Sequence, residues 1–258
     1  MLEVVILGSG SGGNACVIRD QETMILVDAG FSCGQISKRM ALSGLDIQQL
    51  SGCIVTHEHR DHIHGLRVLF KRYRIPLFMH PATHRAAAKV LAGDEVVHHF
   101  ELGERFNIGD LEITSVPTLH DAAAPTGFRI TGDGVAIGYL TDLGAVTEDN
   151  FLAMRQVDYL VMEANHDRDT LWRGPYPDHL KARVDGRLGH LSNEDSAEFT
   201  RLLAELGQLR GVTLAHLSEQ NNTPEMALEA YRMQLDDTFT VRVASQHQPL
   251  EPIRVERT

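Results

Sequence analysis

A chain of 258 residues, 43% of them hydrophobic, can bury a substantial core but is too short for several large domains, which predicts one domain over residues 1–258. Its formal charge of −11 excludes a protein that coats nucleic acid through a basic surface, though not a small cationic site. No run of about 18 apolar residues is available to span a bilayer, and no basic segment precedes the first apolar run, so the expectation is a soluble cytoplasmic protein with no export signal and no membrane contact.

In chain order, strand-like runs are predicted at Leu2 to Leu7, Thr23 to Val27, Cys53 to Thr56, Leu77 to Met79, Leu111 to Val116, Val135 to Leu140, Tyr159 to Met162 and Val212 to Ala215. Helical spacing falls at Gln35 to Leu42, Ile63 to Tyr73, His84 to Leu91, Asp195 to Leu206 and Met226 to Leu235, with Ser192 and Thr223 as N-caps. The alternation indicates an α/β chain. Hairpin signals at Asp20-Gln21-Glu22 and Thr131-Gly132-Asp133-Gly134 argue against a purely parallel sheet. Residues 166–187 lack apolar periodicity and read as a surface excursion around Arg173-Gly174-Pro175-Tyr176-Pro177. Cys16, Cys33 and Cys53 show no CxxC spacing and are expected as buried thiols in a reducing compartment.

Fourteen histidines are the informative part of the composition. Thr56-His57-Glu58-His59-Arg60-Asp61-His62 follows the apolar run Ile54-Val55, so the motif leaves the end of a strand. On extended backbone, residues two apart point the same way, and His57 and His59 can converge on one ion. Once the chain turns, Asp61 and His62 can face a second ion, an arrangement suited to two-metal hydrolysis. The same context recurs where His120, Asp142 and His216 each follow an apolar run. His80, His84, His98 and His99 lie outside this pattern and are read as surface or packing residues.

The HxHxDH motif, the lone His120, Asp142 and the strand-end His216 together resemble the metallo-β-lactamase superfamily, over nearly the whole chain. That resemblance implies a four-layer αββα sandwich with metals at one edge between the sheets. It also implies that His57, His59 and His120 hold one ion, that Asp61, His62 and His216 hold the other, and that Asp142 bridges the two. All these donors are nitrogen or oxygen, so two divalent ions are expected, zinc first and manganese or iron as alternatives.

Gly8-Ser9-Gly10-Ser11-Gly12-Gly13-Asn14 lacks the ending of a nucleotide P-loop and precedes a further strand-like run. It is either a plain turn or a loop whose backbone N–H groups, with Ser11 and Asn14, approach a substrate phosphate. With Met162-Glu163-Ala164-Asn165-His166-Asp167, Gly189-His190-Leu191-Ser192-Asn193 and Ala215-His216-Leu217-Ser218, this loop is similar to the small bacterial WalJ/YycJ-type exonucleases and, more distantly, to the tRNA 3′-processing ribonucleases. The resemblance implies phosphodiester hydrolysis, with His190 protonating the leaving group and Glu163 assisting, while Asp61 serves both a metal and the nucleophile. Context favours His216 over His190 as the ligand, because His216 ends a clean apolar run as His57 does. Arg173, Lys181, Arg183 and Arg187 form one basic patch, and Arg67, Lys71, Arg72 and Arg74 another. Arg173 and Lys181 are the expected backbone contacts of a nucleic acid or other phosphodiester substrate, and Trp172 or Tyr176 could stack a base.

An exonuclease on single-stranded DNA or RNA is thus the first expectation. Hydrolysis of a small ester, thioester or lactone, and a catalytically silent binding module, are the alternatives. Oligomeric state is not readable from the sequence.

Overall fold

The computed structural model describes residues 1–257. One sheet contains β1 (Leu2–Gly8), β2 (Ala15–Arg19), β3 (Met24–Val27), β4 (Gly52–Ile54), β5 (Leu77–Met79) and β6 (Val97–His99) in sequential order. The other holds β7 (Arg105–Ile108), β8 (Leu111–Pro117), β9 (Thr126–Gly132), β10 (Val135–Leu140), β11 (Tyr159–Glu163), β12 (Gly211–Ala215) and β13 (Thr240–Val243). The last strand, β14 (Ile253–Val255), returns to pair with β1 in the first sheet. Both sheets are mixed: hairpins join β1 to β2 and β9 to β10 antiparallel, while β3 to β6 and β10 to β13 run parallel.

Period-2 alternation builds the layers. On β1, Val4 and Ile6 join a core shared with Ile113, Ile130, Ile137 and Val161 of the other sheet, whereas Val5 and Leu7 face outward. That outer face is covered by α1 (Cys33–Leu42) and α3 (Leu66–Tyr73), through Ile36, Met40, Leu66 and Leu69. On β11, Val161 points inward and Leu160 and Met162 outward, against α5 (Glu148–Met154), α8 (Asn193–Ala204) and α9 (Pro224–Arg232). The result is the expected αββα sandwich. Among the described residues no helix is long and apolar enough to cross a membrane. The three cysteines are buried and unpaired.

Three expectations need correction. The helix predicted from Ile63 to Tyr73 is broken into α2 (Arg60–Ile63) and α3, because the Gly65 N–H donates to the Ala29 carbonyl and a Cβ on Gly65 would lie 2.3 Å from the Phe31 carbonyl oxygen. The excursion is not irregular: it contains α6 (Arg168–Arg173) and α7 (Asp178–Val184). Both are too short for helical periodicity to register, and Pro175 and Pro177 separate them. The helix predicted from His84 runs instead over α4 (Pro81–Ala87), opened by a proline in its first turn. Ser192 and Thr223 cap α8 and α9 as expected, their hydroxyls accepting from Asp195 and Met226 N–H groups.

Candidate metal centre

Strand ends from both sheets meet at one rim. From the first sheet come Asp28 after β3 and the His57 to His62 segment after β4; from the second come His120 after β8, Asp142 after β10 and His216 after β12. Asp28, Asp142 and His216 all take left-handed backbone, with φ of 62°, 58° and 56°. Side chains other than glycine rarely sit there, and such residues gather where function demands a particular aim.

The side chains converge in overlapping groups whose donor atoms lie within 4.8 Å of one another: His57, His59 and His120; Asp61, His62 and His216; His57, His62 and Asp142; and Asp142, Glu163, His190 and His216. The structure therefore brings together all seven residues expected to bind metal, and also the pair expected to act as acid. Asp142 touches members of both triads. Metal fit is supported by three buried atoms that lack any hydrogen-bond partner, His57 Nε2, His216 Nε2 and Asp142 Oδ2. Orphaned buried polar atoms are costly, and bound cations would satisfy these.

Hydrogen bonds behind the rings set which nitrogen faces the centre. His62 Nδ1–H donates to Asp28 Oδ2 at 2.7 Å, and His120 Nδ1–H to the Gly189 carbonyl at 2.9 Å. His57 Nδ1–H donates to Thr56 Oγ1 at 3.0 Å, and that hydroxyl donates to Asp28 at 2.8 Å. His216 Nδ1–H donates to Glu163 Oε1 at 2.8 Å. Each of these four imidazoles is left with an Nε2 lone pair aimed inward, as metal-ligating histidines require.

Electrostatics match a cation site. Burial would lower His62 and His216, but the carboxylates of Asp142 with Asp28, and of Asp142 with Asp61 and Glu163, outweigh it and hold both imidazoles well above their ordinary value. Burial would likewise raise Asp61 and Asp142, yet the surrounding histidines keep both carboxyls below the usual range. Divalent ions would replace protons in such a field. Glu163 is fully buried and held down to about 2, burial again being outweighed by His190 and His216. Its Oε1 accepts from both of those rings, and its Oε2 from the Leu143 and Leu191 N–H groups at 2.9 and 3.2 Å. His190 is the exposed partner, with 21% of its side chain open to solvent.

A family model described as the beta-lactamase superfamily domain matches residues 23–217. The exodeoxyribonuclease WalJ of Streptococcus pneumoniae serotype 2 is 37% identical over 227 residues, covering 86% of this chain and 84% of WalJ. The chain belongs to the WalJ/YycJ exodeoxyribonuclease family of the metallo-β-lactamase superfamily. The exodeoxyribonuclease YycJ of Bacillus anthracis is 33% identical over 230 residues, covering 88% and 86%. The fold is shared with the metallo-β-lactamase fold protein YhfI from Bacillus subtilis, at a TM-score of 0.75 and 18% identity over 97% of this chain and 100% of that one.

Within this WalJ/YycJ-type chain, the residues expected to contact substrate are placed less uniformly. Ser11 is exposed beside Asp61. Asn14 is fully buried and braces the glycine loop, accepting from the Ser9 hydroxyl and the Gly10 N–H at 2.8 and 3.0 Å and donating to Asp61 at 3.3 Å. It positions Asp61 and has no face for a phosphate. Lys181 is also turned inward, its Nζ donating to the Trp172 carbonyl at 2.9 Å. Arg173 is exposed and paired with Asp169, one turn away on α6. Neither cation joins the metal cluster. Arg183, which sequence reasoning placed only in a patch, pairs with Asp121 beside His120 and so lies at the rim.

Sequence reasoning missed Asp28, although it follows an apolar run as Asp142 does. Its carboxylate accepts from His62, the Thr56 hydroxyl and the Thr56 N–H, fixing two rings at once. Asp28→Asn should tolerate the left-handed backbone but turn an amide N–H toward His62 or Thr56. Metal affinity is expected to fall by roughly 10- to 100-fold, the usual loss for such an outer partner. Competition with a chromophoric chelator measures it, and native affinity in the variant would show that Asp28 does not orient His62.

Proposed function

We propose that this chain is a two-metal phosphodiesterase that removes nucleotides from the end of single-stranded DNA. The observation carrying this reading is the pair formed by buried Glu163 and half-exposed His190. They stand beside Asp142, although His57, His59 and His120 with Asp61, His62 and His216 already supply two sets of donors. A thioester hydrolase has less need of such a pair, because its thiolate leaving group is far less basic than a sugar alkoxide. The names of the WalJ and YycJ relatives support DNA over RNA.

His57, His59 and His120 would hold one ion, Asp61, His62 and His216 the second, and Asp142 would lie between them. Bound there, two divalent ions would supply acidified water near neutral pH and charge stabilisation for the phosphoryl oxygens. Zinc suits the set, with manganese or iron as alternatives. Asp61 orients the attacking oxygen, being ionised and braced by Asn14. Glu163 keeps the proton of His190 on Nδ1 when the ring is neutral and stabilises the ring when it is charged. His190 then delivers its Nε2 proton to the departing alkoxide. We also propose that residues 1–258 form one domain and work in the cytoplasm, where three buried unpaired thiols would stay reduced.

The test sets metal-loaded protein against an end-labelled single-stranded oligonucleotide and a panel of thioesters and lactones. Shortening of the oligonucleotide with no turnover of the panel is expected. Turnover of the panel alone would transfer the site to acyl chemistry, and binding of DNA without cleavage would make the chain a silent binding module.

A further inference from the structure

A cavity of about 360 Å³ opens directly beside Asp61. Its wall combines Ser11 from the glycine loop, Phe31 and Gln35 from the entry to α1, Arg60 from α2 and His64 directly after it. Arg60 and His64 are four residues apart, so they project from one face one turn apart. Both are exposed, and no ion pair among the described residues involves either. Both can therefore turn N–H donors toward a single ligand placed between them. The guanidinium fork matches carboxylate and phosphate alike, and phosphate is the anion that the proposed substrate carries. The rest of the wall suits the remainder of a nucleotide. Ser11 and Gln35 offer hydroxyl and amide hydrogen bonds, and Phe31 offers the edge of a ring whose face lies 4.0 Å beneath the Arg39 guanidinium.

Size limits what enters. Pockets for small ligands run from roughly 300 to 1,000 Å³, and this cavity lies at the low end, a size that matches one nucleotide. Gly30 bounds it tightly: a Cβ there would lie 1.6 Å from the Asp61 carbonyl oxygen, so the wall cannot thicken without moving Asp61. We propose that this cavity seats the single terminal nucleotide of the strand, with Arg60 and His64 holding its phosphate beside the bond to be cleaved. Cleavage then releases mononucleotides. The inference rests on the phosphodiesterase reading, and it names the residues that would make the enzyme act from an end.

The experiment uses thymidine 5′-monophosphate and thymidine 3′-monophosphate as probes, titrated by calorimetry into metal-loaded native protein and into Arg60→Ala, His64→Ala and Arg85→Ala. One of the two isomers is expected to bind, more than tenfold more weakly to Arg60→Ala, several-fold more weakly to His64→Ala, and equally to the Arg85→Ala control. The isomer that binds identifies the end that enters. In parallel, end-labelled single-stranded DNA should yield mononucleotides. Native binding by Arg60→Ala, binding of neither isomer, or release of longer fragments would overturn the seat while leaving phosphodiester cleavage intact. Arg60-dependent binding of a monophosphate without any cleavage of DNA would leave the seat standing and remove the phosphodiesterase reading.

Discussion

Asp142→Ala is expected to strip both ions from the protein and lower phosphodiester turnover by orders of magnitude. Asp142 shares one group with His57 and His62 and another with His216, Glu163 and His190, so its removal exposes donors of both triads to uncompensated contact. Water activation near neutral pH would go with the ions. Elemental analysis of protein purified without chelators gives the occupancy. Alanine fits badly at a φ of 58°, whereas asparagine tolerates it, so Asp142→Asn serves as the second variant. A folded Asp142→Asn protein should still hold less metal than native, and two tightly held ions with full turnover would remove Asp142 from the centre. Acid should help stripping, because protons compete with the ions for the Nε2 atoms of His62 and His216.

His190→Ala and His216→Ala should part company on two substrates. Both rings donate to the same Glu163 oxygen, at 2.9 and 2.8 Å, yet their other nitrogens face different surroundings. His216 is buried with an orphaned Nε2, whereas His190 reaches solvent. His216→Ala should therefore lose an ion and fail on every substrate. His190→Ala should keep its ions. Expelling a sugar alkoxide gains roughly 10² to 10⁴ in rate from a general acid. Nitrophenolate leaves with little help. His190→Ala should lose activity of that order on oligonucleotides and retain much of it on bis(p-nitrophenyl) phosphate. Equal losses with intact metal content would make His190 a residue that positions phosphate. Loss of an ion in His190→Ala would exchange the two roles, a result the fourth group of donors makes chemically reasonable.

The centre was legible because its residues sit at strand ends, and strand ends are marked in sequence by an apolar run stopping at a polar residue. His57, His120, Asp142 and His216 all carry that mark. Asp28 carries it too, after Met24–Val27, but a lone aspartate there is also a common turn residue, and only its contact with His62 separates the cases. Burial was not legible at Asn14 and Lys181. Both are polar residues in glycine- or proline-rich surroundings, which usually means surface; here each is drawn inward by partners 47 and 9 residues away. The edge strand β6 was missed because Val97-His98-His99 has one apolar residue to alternate. Cavities such as the one beside Asp61 arise from loops distant in sequence and leave no local pattern.

The left-handed backbone at Asp28, Asp142 and His216 also bears on how this protein would respond to selection. Each such position holds about 1–3 kcal/mol of strain, against a folding stability of roughly 5–15 kcal/mol for a typical domain. Glycine would relieve that strain at all three sites. A laboratory search for heat-resistant variants, screened without a chemical readout, would weigh that relief against the buried hydrogen bonds that Asp28 and His216 make, and would be drawn to glycine wherever the relief is larger. It would gather proteins that melt later and hydrolyse nothing, so these positions should be held fixed in any stabilised library.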